Sequence, residues 1–566
     1  MPFISSLSDA YRTPYVFDPE EYPPEPVSPG YYIPQGMDTP ILPYIPQSQS
    51  ALVKHYLDHV LMRQYLLADS SISEFIIRTI QKSAAVRDAV CLLSALHRAS
   101  LVNSGAVESA SALTPASSES DYVQIYRRIH HTLVPAAGRA DYSEDEALTG
   151  LLVVSAFLFR GGRGQWLQFL TVAAEWVGGL LAGYTDPDGA AALLLRCTDS
   201  QRFIIKTTFW FDILASATRR EPPLFLPWYR RLWGAPRARI DVLDGAAGPH
   251  ASADEQKLSM MTVMGCENAT ALAIAETSDL AHWKATHAAA GTLSVPDLVD
   301  RGRTIEGTLL PAPSPPSPQP PYGVFDGYDG FGGDDDIGRR RRYTADIFRG
   351  AAKIYLHSVL SGEHPLNPEI RDGVAAVVAT LRKLPPVQPG GSPTHANAHL
   401  HGGGAAGSGA YASSASSSST YGASPTYGSA GSSFGSASSS STYGPSSSSS
   451  TYGPSSSSSA YGPSAAAGFP FSAPPAGSKP ASLASSVLRS AVFGITLAGC
   501  LTDDYASRVY ILARLRGEER EEGVGNCAEA RKVMEYVWDA RARGVEGGWR
   551  EAMQKVGLGA GELLLV

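Results

Sequence analysis

RFIIKTTFWFDILASATRREPPLF, residues 202–225, is the stretch on which the fold turns. Phe203, Thr207, Trp210, Leu214 and Ala217 recur at steps of three and four, which places them on one face of a helix. Pro222 and Pro223 end it, because proline lacks the N–H that the next turn would donate. The same period runs on either side. Leu52, Val53, Tyr56, Leu57, Val60 and Leu61 make one stripe, and Val86, Val90, Leu93, His97 and Leu101 another. Trp166, Phe169, Ala173, Trp176 and Leu180 follow, then Ile347, Ala351, Ile354 and Tyr355, then Ile370, Val374, Val377, Leu381 and Leu384. SISE at 71–74, SEDE at 143–146 and NCAE at 526–529 read as capping boxes opening helices. Alternating strands joined by hairpin turns do not appear. The fold class is all-α, a multi-helix domain with long disordered insertions.

Composition shifts divide the 566 residues. Residues 1–48 are a Pro/Tyr-rich extended arm and 49–310 the first part of the helical domain. Residues 311–342 form a Pro/Gly/Asp loop ending in a basic run, and 343–385 a helical hairpin of the same domain. Residues 386–482 are Ser/Gly/Tyr-rich, with Tyr-Gly-Pro-Ser repeated from Tyr443, Tyr452 and Tyr461. They hold too little apolar surface to offset chain entropy, so the segment reads as disordered. Residues 483–566 return to helix and close with KVMEYVWDARARGVEGGWREAMQKVG at 532–557. There Gly544, Gly547 and Gly548 separate Trp538 and Trp549 onto two consecutive helices, as packing anchors.

A net charge of −8 argues against a nucleic-acid surface spread over the whole chain. The five cysteines, Cys91, Cys197, Cys266, Cys500 and Cys527, are far apart and read as buried thiols, not disulfides. No basic start followed by an apolar run suggests a secretory signal, and the longest apolar window, 147–159, is short for a membrane span of ~20 residues. The chain therefore reads as soluble, cytoplasmic or nuclear, and the sequon at Asn268 as incidental.

Candidate chemistry is sparse. Arg339, Arg340, Arg341 and Arg342 read as a nuclear-import or phosphate-contact run, or as a solvated run balanced by Asp334, Asp335 and Asp336. Cations are disfavoured at a helix N-terminus, so the run is expected in the loop. His395, His399 and His401 sit in a Gly-flanked tract without acidic partners and are not expected to hold metal; His97 reads as a core-edge histidine bonded to backbone. Helical metal enzymes need carboxylates in register on one wall, but in TDDYAS the residue after Asp503 and Asp504 that should be the third ligand is Ser507. GGRGQW at 161–166 and GLGAGELLLV at 557–566 lack the features of phosphate loops. No catalytic, cofactor-binding or metal-ligating residue is expected.

Several segments, in order, resemble the fungal-specific transcription factor domain family. They are LVKHYLDHV, AAVRDAVCLLSALHRAS, TTFWFDILASATRREPPLF, MGCENATALAIAETSDLAHWK, FRGAAKIYLHSVLSG, VFGITLAGCLTDDYASRV and the closing tryptophan pair. The resemblance implies a non-enzymatic, nuclear regulator of transcription. Its partners would be proteins of the transcription machinery, a related zinc-cluster factor, a second copy of the chain or a small inducer. In that family a binuclear zinc cluster commonly precedes the helical domain. Here the first cysteine is Cys91 and no two lie closer than 27 positions, so no zinc cofactor is expected and direct DNA contact is unsupported. Either this is a member lacking the module or the gene model begins downstream of it. A zinc-cluster-free scaffold or adaptor is the second reading; a helical metal-dependent enzyme, short of ligands, is the third.

Overall fold

A computed structural model describes residues 45–68, 71–103, 115–134, 141–184, 189–234, 253–311, 334–385, 482–522, 525–545, 547–556 and 562–566. The arm at 1–44, the serine-rich repeat and His395, His399 and His401 lie outside the described residues, all of which belong to one compact unit. Among them the structure is helical apart from one short strand pair. No single described helix is long and apolar enough to cross a membrane.

The first helix, α1 (Gln47–His55), continues through a π-helical turn (Tyr56–Val60) into a last α-turn (Leu61–Gln64). Next, α2 (Ser71–Lys82) buries Ile72, Ile76 and Ile80. α3 (Ala84–Asn103) packs against α1, α4 (Pro115–Leu133) and α5 (Glu144–Phe159). SEDE forms a full capping box: the Ser143 hydroxyl accepts from the Glu146 N–H at 3.3 Å and the Glu146 carboxylate from the Ser143 N–H at 2.9 Å. A two-residue strand, β1 (Arg163–Gly164), separates α5 from α6 (Leu167–Ala182), which returns along it.

After α7 (Gly189–Arg196) comes α8 (Asp199–Arg219), the quoted stretch. Its one-sided reading is corrected: every residue from Arg202 to Ala217 is buried, because α8 runs through the middle of the domain. Each large apolar side chain so buried is worth ~1.5–3 kcal/mol. Its charged groups satisfy backbone at the ends of neighbouring elements. The Arg202 guanidinium donates to the Leu194 and Cys197 carbonyls, and the Lys206 ammonium to the Ser259 carbonyl at 2.6 Å. The Asp212 carboxylate accepts from the N–H groups of Leu224 and Phe225 and from the Tyr229 hydroxyl. Those bonds fold the Pro222-Pro223 turn back onto α9 (Leu226–Trp233).

Short helices α10 (Ala253–Leu258) and α11 (Met261–Met264) lead to Gly265, whose φ of +61° and close approach to Leu67 and Thr344 leave no room for a side chain. α12 (Asn268–Ala289) packs on α8, α13 (Val295–Leu309) and α14 (Asp334–Ser361). The sequon residue Asn268 is buried, its side chain accepting from the Met260 N–H at 2.8 Å. α14 pairs with α15 (Pro368–Lys383), whose whole predicted stripe from Ile370 to Leu384 is buried.

The chain re-enters at α16 (Leu483–Ser490), followed by α17 (Val492–Cys500), α18 (Tyr505–Glu522), α19 (Cys527–Ala542), α20 (Trp549–Lys555) and β2 (Glu562–Leu563). Both edges of the segment between α15 and α16 rest on α18. The Arg514 guanidinium donates to the Leu381 and Leu384 carbonyls, and one turn on the Glu518 carboxylate accepts from Ser485 at 2.6 Å. NCAE opens a helix as expected but is not a capping box: Asn526 donates to the Leu564 carbonyl, and Glu529 pairs with Arg163 at 2.6 Å. β1 and β2 are antiparallel, so the two glycine-rich segments set aside as phosphate loops pair with each other.

Candidate functional site

The basic run is not in a loop. α14 begins at Asp334, so Arg339–Arg342 lie in its second and third turns. The arginines follow three aspartates that occupy the helix start, where negative charge is favoured. Arg340 pairs with Asp336 one turn back at 2.6 Å. Arg341 reaches inward, donating to the Leu67 carbonyl at 2.9 Å and the Thr262 carbonyl at 2.7 Å, and so fastens α14 to the end of α1 and to α11. Arg339 and Arg342 are exposed.

Where α1 ends, seven sequence-distant segments line a partly open cavity of about 150 Å³. Gln64, Tyr65, Phe159, Trp210, Phe211 and Met264 line it, with Arg63 and Arg489 on its polar side and Asn526 and Val566 from the C-terminal segment. The Arg489 guanidinium donates to the Arg63 carbonyl across 426 positions of sequence, which ties α16 to α1. Fully buried Tyr56 donates its hydroxyl to Gln64 Oε1 at 2.7 Å. Gln64 Nε2 is buried without a hydrogen-bond partner.

Beside it lies a histidine cluster. His55 Nε2 and His97 Nδ1 are 2.9 Å apart, so one ring donates and the other accepts, and the His59 ring is 4.8 Å from that of His55. The expected backbone bond of His97 is thus corrected: its partner is a second imidazole, reachable because α1 crosses α3 here. Burial, then His97, His59, Arg98 and Arg63, push His55 down to about 3. Burial, then Arg63, His59 and Arg489, push His97 down to about 4. Both are neutral in the folded protein near neutrality.

A larger open groove, about 330 Å³, runs between α9, α12 and α13; in it Arg230 pairs with Glu276 at 2.6 Å and with Asp279 at 3.2 Å, and Arg301 lies over the Trp283 ring. Asp504 of the TDDYAS pair accepts from the Ser507 N–H and Asp503 pairs with Arg541. Among the described residues no three His, Cys, Asp or Glu are grouped to hold a metal. All five cysteines are free thiols; burial raises Cys91 to about 12. Trp549 is fully buried with Tyr355 and Phe493 edge-on to it, while half-buried Trp538 donates to the Gly499 carbonyl at 2.8 Å.

Sequence reading missed Gln64, Tyr65 and Arg489. They stand at helix ends, off any apolar stripe, and only the tertiary fold brings them together.

A family model of the fungal-specific transcription factor domain matches residues 51–399 and 479–560. Transcription factor dibT of Pestalotiopsis microspora is 30% identical over 193 residues, 32% of this chain and 28% of that protein. The trichothecene biosynthesis transcription regulator TRI10 of Trichoderma arundinaceum is 28% identical over 128 residues, 23% of this chain and 26% of that one. The chain thus aligns with about a quarter of the length of these curated relatives. No solved structure matches it.

Proposed function

Since the chain belongs to the fungal-specific transcription factor domain family, we propose that it regulates transcription from the nucleus, without catalysis, through contacts with transcription proteins or a related zinc-cluster factor. One observation carries the reading: the family match is interrupted at nearly the same place as the described helices. The match stops at 399 and resumes at 479, while the described fold leaves off at 385 and resumes at 482. An apolar helical core whose buried charges are spent on backbone and on one another suits a domain that transmits binding. The two relatives are named as a transcription factor and as a regulator of a biosynthesis, which supports control of a biosynthetic gene set here too.

The test is to fuse the full chain to a heterologous DNA-binding domain upstream of a reporter, and to profile transcripts after deleting the gene. Altered reporter output with a coherent set of changed transcripts is expected. An inert fusion, together with exclusion of the tagged protein from the nucleus under all growth conditions, would refute the proposal.

A further inference from the structure

Gln64 presents, at the wall of this partly open cavity, a buried donor with no hydrogen-bond partner. Its orientation is fixed from behind, because Tyr56, itself buried, occupies Oε1. An unmet donor away from water is costly, and a bound acceptor removes that cost. The opposing walls are aromatic and thioether surface from Phe159, Trp210, Phe211 and Met264. A volume of about 150 Å³ is enough for one benzene ring. Arg63 and Arg489 line the same space and no acidic side chain does, although Val566, which carries the terminal carboxylate, is a lining residue too. Arg63 donates to the His59 carbonyl and Arg489 to the Arg63 carbonyl, and both guanidiniums bring positive field to the space.

We propose that this cavity binds a small aromatic carboxylate, its ring between Phe211, Trp210 and Met264 and one carboxylate oxygen accepting from Gln64 Nε2. Its biological meaning, an effector that biases the regulatory domain, rests on the reading above; the binding does not. Because the walls come from α1, α5, α8, α11, α16 and the start of α19, occupancy would brace the first and last parts of the chain against each other.

The experiment is calorimetric titration of the purified full chain with benzoate, toluene and benzylamine. Saturable benzoate binding is expected, with toluene weaker and benzylamine, a cation beside two guanidiniums, absent. Gln64→Leu, which keeps the bulk and removes the donor, should weaken benzoate by about tenfold or more while leaving toluene unchanged. No saturable benzoate binding to the wild-type chain would overturn the proposal, as would toluene binding as tightly as benzoate. Undiminished benzoate binding by a folded Gln64→Leu protein would overturn it too. Failure here leaves the transcriptional reading standing, since the tethered reporter tests that separately.

Discussion

Replacing Trp549 by alanine and, separately, by phenylalanine tests how the end of the chain is held. The indole is fully buried, with the rings of Tyr355 and Phe493 edge-on to it, each 6.4 Å between centroids, and the Arg550 guanidinium 4.2 Å above it. Removing such a side chain costs ~3–5 kcal/mol in transfer and cavity terms. Loss of a desolvated cation–π contact of ~1–2 kcal/mol places the alanine variant at the upper end of that range. Phenylalanine behaves differently, because the indole Nε1 is buried with no acceptor. Losing an orphan donor recovers ~1–3 kcal/mol, which offsets part of the smaller ring, so Trp549→Phe should cost less than ~2 kcal/mol. The assay is urea unfolding followed by far-UV circular dichroism, comparing midpoints at equal m. Equal losses for both variants would mean that the N–H has a partner. A loss below ~1 kcal/mol for alanine would mean that the indole is not core.

Three further outcomes are expected. Histidines held below their ordinary pKa bind fewer protons folded than unfolded, so stability is flat above pH ~6.5 and falls as the pH drops toward about 4 and then 3, where His97 and His55 titrate. Urea midpoints at pH 7 and 5 should show the loss, and a His55→Gln, His97→Asn double variant a shallower one; an equally steep wild-type and variant profile would refute it. Replacing residues 388–480 by a Gly/Ser linker about one eighth as long should preserve the fold and stabilise it by ~2 kcal/mol, three halvings of loop length at ~0.6 each; calorimetric unfolding checks it, and a molten product would show that the segment holds the core. Arg341→Ala should cost ~1.5–3 kcal/mol through two charge-assisted bonds, while Arg342→Ala costs under ~0.5; equal thermal shifts would contradict that division.

How far the sequence was legible depends on how one-sided each element is. The Ile370 to Leu384 stripe could be read residue by residue because α15 is exposed on its other face. α8 misled because a helix buried all round has no face to find. The joint between Trp538 and Trp549 was readable from glycine chemistry, and Gly544 does adopt a left-handed φ of +68°. The arginine run was misplaced because its charge was weighed against a helix start without counting Asp334–Asp336 as that start. At Gly499 an added Cβ would overlap Met534 Sδ, so α17 and α19 approach closely there. The cavity was not legible at all: its walls share no period, motif or neighbourhood in the sequence.

That both edges of the 386–481 segment stand on α18 also bears on synthesis. Phe493 and Trp549 complete the interior, yet they leave the ribosome only after roughly a hundred further residues have been added. At ~5–20 residues per second the first helices wait on the order of 5–20 s with an open core. The length of the serine-rich tract thus sets how long the core waits for its last side chains.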